Sequence, residues 1–213
     1  MSRQIIPAIL TNDPVDLQDK LESVSGAVEW AHFDVMDGDF VNNSSLDIGY
    51  LQPLKHQLKI EAHLMVKNPE RWLQRCKDAG VDRVIFHYEA TDRHSEVLEK
   101  IDELGMKKGI ALKAETPVDV LRDYIHRLDE VVLHATAELG FSGQEFLPET
   151  LDKIKELRKM SASVNIGVDG GVSEYNIKAI AQAGANYFII TSALFFYMDR
   201  KRAIEKLKHL IKK

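Results

Sequence analysis

The chain has 213 residues, of which 45% are hydrophobic and 29% charged, with a formal net charge of -5. That length supports one sizeable core, and the mild acidity gives no global attraction to nucleic acid or to an anionic membrane. No stretch approaches the about 18 uncharged apolar residues of a membrane span, and one cysteine, Cys76, rules out an intrachain disulfide.

In chain order, short apolar runs predict strands over Gln4 to Leu10, Glu29 to Val35, Lys59 to Met65, Arg83 to His87, Lys108 to Lys113, Glu130 to Ala135, Ser163 to Asp169 and Tyr187 to Thr191. Amphipathic segments lie between them, as in Leu17, Leu21 and Val24 or Leu151, Ile154 and Leu157. Asn12, Asp13 and Pro14 open the first helix, Asn68 and Pro69 the third, and Ser173 the seventh. Gly26, Gly80, Gly105 and Gly184 fall near helix ends or in turns. Eight β then α units without a linker predict an α/β protein, a single (β/α)8 TIM barrel over residues 1–213, with a doubly wound open sheet as its rival. The last segment, from Lys201, reads as a helix with Ile204, Leu207, Leu210 and Ile211 on one face. The first residues leave no room for the roughly 7 to 15 residue apolar core of a signal peptide, so a cytoplasmic protein is expected.

In a barrel of this type the chemistry sits at the C-terminal ends of the strands. His32, Asp34, His63 and Asp169 all fall there. Residues i and i+2 of a strand share a face, and the neighbouring strand lies about 4.8 Å away, so two imidazoles and two carboxylates can meet at one mouth. That donor mix suits a catalytic divalent ion, although each residue alone reads equally as a satisfied core histidine or a turn-forming aspartate. Of the other histidines, His56, His94, His126 and His209 stand in polar contexts and read as surface residues. His87 and His134 end strands, His87 with either a supporting or a structural role at the mouth.

The runs His-Phe-Asp-Val-Met-Asp-Gly-Asp-Phe-Val at 32–41, His-Leu-Met-Val at 63–66, Gly-Phe-Ser-Gly-Gln at 140–144 and Val-Asp-Gly-Gly-Val at 168–172 resemble the ribulose-phosphate 3-epimerase family. The similarity extends from Pro7 to Phe195. It implies a (β/α)8 barrel that inverts C3 of D-ribulose 5-phosphate to give D-xylulose 5-phosphate, a step of the pentose phosphate pathway. It implies one divalent metal ion (Zn, Fe, Mn or Co) on His32, Asp34, His63 and Asp169, which stabilises an enediolate. Asp34 and Asp169 then act as the acid/base pair on opposite faces of C3. Met36 and Met65 are implied to pack around the reacting carbons, against ordinary core filling as the alternative. Asp37 reads as a loop residue. Gly140, Phe141, Ser142, Gly143, Gly170, Gly171, Thr191 and Ser192 are implied to hold the substrate, the glycines letting backbone N–H groups approach its phosphate.

The chain departs from the family pattern at five places. Ala8 replaces a substrate-contacting serine, Lys113 an asparagine, and Thr191 a glycine, while Glu138 and Leu139 stand where Asn-Pro is usual. A glutamate facing the phosphate is unfavourable; Lys113 offsets it, or both side chains point to solvent. These departures keep two alternatives open: 3-epimerisation of another phosphorylated ketose, or a metabolite-binding barrel without turnover. Phe195, Phe196, Tyr197 and Met198 either cover the barrel or meet a second subunit, and a homo-oligomer, dimer or higher, is expected, with no nucleic-acid or membrane partner.

Overall fold

A computed structural model describes residues 2–54 and 56–212. Its eight strands are β1 (Gln4–Ile9), β2 (Trp30–Met36), β3 (Lys59–Met65), β4 (Arg83–His87), β5 (Lys107–Leu112), β6 (Glu130–His134), β7 (Asn165–Asp169) and β8 (Tyr187–Ile190). They pair in parallel in sequence order, and β8 closes on β1, so the sheet is a closed barrel rather than the open rival. Closure removes every edge strand and buries both faces, which is why the strands read as nearly continuous apolar runs.

The helices are α1 (Pro14–Val24), α2 (Leu73–Asp78), α3 (His94–Glu103), α4 (Thr150–Met160), α5 (Ile177–Ala183), α6 (Ser192–Phe195) and α7 (Arg200–Ile211). Among the described residues, two of the eight predicted units show no α-helix. After β2 the chain makes a single 3₁₀ turn at Ile48–Leu51, and after β5 two 3₁₀ turns at Val118–Leu121 and Ile125–Arg127. Pro53 follows the first turn and Pro117 immediately precedes Val118–Leu121, and these turns bury Ile48, Leu51, Val118 and Leu121. Asp13 caps α1 by accepting from the Val15 N–H at 2.9 Å, with Pro14 in the first turn as the sequence indicates. Asn68 and Pro69 begin a 3₁₀ turn that precedes α2, whereas Ser173 starts a loop and α5 begins at Ile177. Gly26, Gly80, Gly105 and Gly184 all adopt positive φ.

Strand parity divides the interior into two apolar zones. Outward-facing residues such as Phe33, Leu64, Phe86, Val131 and Phe188 pack with the helices. Inward-facing Ile6, Ala8, Trp30, Ile85, Ala111, Val132, Tyr187 and Ile189 fill the barrel. In α7, Ile204, Leu207 and Ile211 are buried and Leu210 packs beside them, as the periodicity predicts. Among the described residues no helix is long and apolar enough to cross a membrane.

The barrel floor carries charge as well as hydrocarbon. Arg83, fully buried at the start of β4, bonds Glu61 and lays its Nε 2.8 Å from Glu130. Its guanidinium stacks 4.1 Å above the Trp30 ring and 5.2 Å from that of Tyr187. One cation serves two buried carboxylates, and they divide accordingly. Burial raises the Glu61 pKa, but Arg83 and His32 outweigh it and bring the group down to about 2. At Glu130 burial dominates and lifts the pKa to about 8, against the pull of Arg83. Gly167 on β7 makes room for Glu130: a Cβ there would lie 2.5 Å from the carboxylate oxygen.

Candidate active site

Parallel register carries the site residues to one level of the barrel. Asp34 pairs with His63 across β2 and β3, and His134 with Asp169 across β6 and β7. One donor atom from each of His32, Asp34, His63 and Asp169 falls within 4.8 Å of the other three. His32 and His63 are fully buried, Asp34 is nearly so, and Asp169 is partly exposed to the cavity above.

The hydrogen bonds behind the imidazoles fix which nitrogen faces the centre. Glu61 is ionised and accepts from His32 Nδ1–H at 2.7 Å, so Nε2 points to the centre, 3.3 Å from Asp34 Oδ1 and without a hydrogen-bond partner. A second chain acts on His63. The Glu89 carboxylate accepts from His87 Nδ1–H at 3.2 Å, and His87 Nε2 then accepts from His63 Nε2–H at 2.9 Å. His63 Nδ1 is left facing Asp34 at 3.1 Å and Asp169 at 3.8 Å. Glu89 is itself held by the Lys113 N–H at 3.0 Å and by the Thr116 hydroxyl. Burial opposes the Glu89 charge, yet His87 and Thr116 bring its pKa down to about 2, while burial pushes His87 down to about 4 and keeps it neutral.

Charge at the centre follows from the same geometry. Burial disfavours the Asp34 carboxylate, but the adjacent imidazoles of His32 and His63 lower its pKa well below the usual range. Burial likewise opposes ionisation of Asp169, and His134 lowers its pKa. His32 is raised well above an ordinary histidine because Asp34 and Glu61 overcome the cost of its burial. The pocket thus concentrates anionic oxygens and imidazole nitrogens where a cation is favoured. Two nitrogens and two carboxylates, one nitrogen unpartnered and each imidazole oriented by an outer carboxylate, fit a divalent ion.

Above the centre opens a cavity bordered by Asp34, Asp169 and Met65, and by Gly140, Phe141, Ser142, Gly143, Gly170, Gly171, Thr191 and Ser192. Leu10, His134, Thr136, Gln144, Val172 and Ile189 complete its wall. Met36 is not among these residues, but its Sδ lies against Gly140, 3.1 Å from where a Cβ there would stand. Met36 packs instead with Val41, Met65, Leu10, Phe40 and Leu139 beside the mouth. Gly171, at φ +66°, brings its backbone against Phe146, where a Cβ would lie 2.6 Å from the backbone nitrogen. The loops after β6 and β7 meet there without space for a side chain.

The departures from the family pattern have definite places. Glu138 is exposed, and its backbone pairs with Gln144 while its side chain stays out of the cavity wall. Lys113 extends over the Phe40 ring, Nζ to centroid 4.7 Å, and is not among the residues bordering the cavity. Ala8 is fully buried in the barrel filling below the mouth, and Thr191 lines the cavity. Asp37 caps its own loop by accepting from the Asp39, Phe40 and Lys67 N–H groups.

His94 is not a surface residue, contrary to the reading of its polar neighbours. It is buried, stacks on Tyr88 at 4.1 Å, and its Nε2 bonds the Tyr88 carbonyl at 2.8 Å. His126 and His209 are exposed and His56 half-buried. Sequence reasoning passed over Glu61, Arg83, Glu130 and Glu89; the signal for Glu61 was its i−2 spacing from His63, which puts both side chains on one face of β3.

Comparison with known proteins agrees with this geometry. The chain is 38% identical to the ribulose-phosphate 3-epimerase of Schizosaccharomyces pombe, over 99% of this chain and 94% of that one. It is 35% identical to the ribulose-phosphate 3-epimerase of Mycobacterium bovis, over 96% and 91%. A 3-hexulose-6-phosphate synthase from Salmonella typhimurium superposes with a TM-score of 0.76 at 16% identity, covering 98% of each chain, which shows a shared fold. Residues 4–195 match the Ribulose-phosphate 3 epimerase family, so the chain belongs to that family and is an isomerase.

Proposed function

We propose that the protein interconverts D-ribulose 5-phosphate and D-xylulose 5-phosphate, using one divalent ion (Zn, Fe, Mn or Co) held by His32, Asp34, His63 and Asp169. The observation that carries this reading is the placement of two carboxylates on opposite sides of the mouth, Asp34 on β2 and Asp169 on β7, bordering one cavity. Inversion at a carbon needs a proton taken from one face and returned to the other. Simple binding needs no such pair.

When bound, the ion supplies positive charge beside the substrate oxygens, where negative charge develops as the C3 proton leaves. The protein does the rest. One carboxylate accepts the C3 proton while the other delivers a proton to the opposite face, and the roles exchange in the reverse direction. Glu61 and Glu89, acting through His32 and through His87 and His63, hold the imidazoles in the tautomers that present lone pairs to the centre. Gly140, Gly143, Gly170 and Gly171, with Phe141, Ser142, Thr191 and Ser192, form the wall that takes the phosphate end, and Met65 packs beside the reacting carbons, with Met36 behind it.

The test is turnover of D-ribulose 5-phosphate to D-xylulose 5-phosphate before and after chelation. Activity lost on chelation and regained with one of the four ions supports the reading; activity indifferent to chelation removes the metal from it. Conversion of a hexulose 6-phosphate in place of ribulose 5-phosphate would favour the alternative substrate. We also place the enzyme in the cytoplasm as a homo-oligomer, supported by the single buried Cys76 and by exposed Tyr175, Phe196 and Met198.

A further inference from the structure

His134 ends β6 beside Asp169, and its side chain is only 7% exposed. Nε2 meets the Thr136 hydroxyl at 2.8 Å and stands 3.4 Å from the Glu138 carbonyl, which the Gln144 amide already donates to. Nδ1 has no hydrogen-bond partner, and Asp169 Oδ2 lies 3.7 Å away, beyond hydrogen-bond reach. With the Thr136 hydroxyl donating to Nε2, the proton sits on Nδ1, on the side of the Asp169 carboxylate, and the His134 ring lines the cavity that Asp169 also borders. A buried donor left without an acceptor is costly unless something else supplies one. His134 stands outside the four-residue centre, so a bound ion does not satisfy it.

We propose that His134 is a specificity-determining residue whose Nδ1–H donates to the C4 hydroxyl of the ketose phosphate. The proposal rests on the function proposed above. The reacting carbon lies between Asp34 and Asp169, and the phosphate lies among the glycine loops that follow β6 and β7. The sugar segment joining them passes the end of β6, where the unpaired donor stands. A site built to bond a hydroxyl discriminates against an analogue lacking it, because the donor is then left buried and unpaired.

Ligands that cannot turn over isolate this contact. Dissociation constants of ribitol 5-phosphate and its 4-deoxy analogue are measured by calorimetry for the wild-type protein, His134→Leu and His134→Asn. The wild-type protein should prefer the 4-hydroxy ligand by about tenfold or more, the value of one hydrogen bond. His134→Leu should bring that ratio near one, and His134→Asn, whose amide places a donor near the Nδ1 position, should restore most of it. A wild-type protein that does not discriminate overturns the proposal without recourse to any variant. So does a His134→Leu protein that weakens both ligands equally, the result of a purely structural support to Asp169. Failure of both ligands to bind the wild-type protein overturns the pentose phosphate reading itself, and this contact with it.

Discussion

Replacing Arg83 by methionine should destabilise the barrel by about 3–5 kcal/mol, the usual cost of removing one partner from a buried ion pair. For a chain of this size that is a fall in Tm of roughly 6–20 °C in a thermal melt. The side chain is 1% exposed and is the cation next to both Glu61 and Glu130, so its loss leaves the ionised Glu61 in the barrel floor with only His32 beside it and makes ionisation of Glu130 harder still. The effect has a defined pH dependence. Glu130 has a folded pKa of about 8, above the usual carboxylate value, so the folded state binds its proton more tightly than the unfolded chain. Stability therefore falls as pH rises from the ordinary glutamate range toward pH 8. Without Arg83 the Glu61 pKa rises as well, so the variant should lose stability more steeply over that window and lie nearest the wild type around pH 5. An Arg83→Met protein as stable as the wild type at pH 8 would contradict this account of the floor.

Asp169→Asn should lower epimerase turnover by about 10²–10⁴-fold, the range for a positioned acid/base group. The amide keeps an oxygen for the centre and nearly the same volume, but it cannot carry the proton. The residue ends β7 and is partly exposed, so the melting curve should stay close to that of the wild type. Steady-state kinetics in both directions, with the melt as control, check this. Retained full activity would remove Asp169 from the chemistry.

The sequence made the strands legible because a closed parallel barrel buries both faces of each one, and runs such as Val84 to Phe86 or Val131 to Leu133 carry that pattern locally. Strand ends fall within two residues of their predicted places, and His32, Asp34, His63 and Asp169 meet because register is a property of the whole barrel. The missing helices after β2 and β5 were less legible, since a 3₁₀ turn and a short helix bury the same apolar residues at nearly the same spacing. His94 was misread for a similar reason: Asp92, Arg93 and Ser95 are polar, and only the tertiary approach of Tyr88 and Tyr124 covers the imidazole.

The charged floor escaped sequence reasoning for a different reason. Arg83 and Glu130 each begin a strand, where a charged residue ordinarily marks the exit to solvent. Their burial becomes visible only once the barrel brings them beside Glu61 and Trp30. The consequence reaches the site, because Glu61 orients His32 and Arg83 holds Glu61. Met36, which follows the His32 and Asp34 motif directly, packs with Met65 and against Gly140 at the edge of the cavity.

Two carboxylates acting from opposite faces of one carbon predict a specific isotopic outcome. With D-ribulose 5-phosphate in deuterated water, D-xylulose 5-phosphate formed in the first turnovers should carry solvent deuterium at C3, because the proton delivered comes from a different group than the one that accepted the original. Product that retains protium at C3 in those turnovers would mean that one group returns the proton it removed, and would contradict the assignment of Asp34 and Asp169 as a two-faced pair.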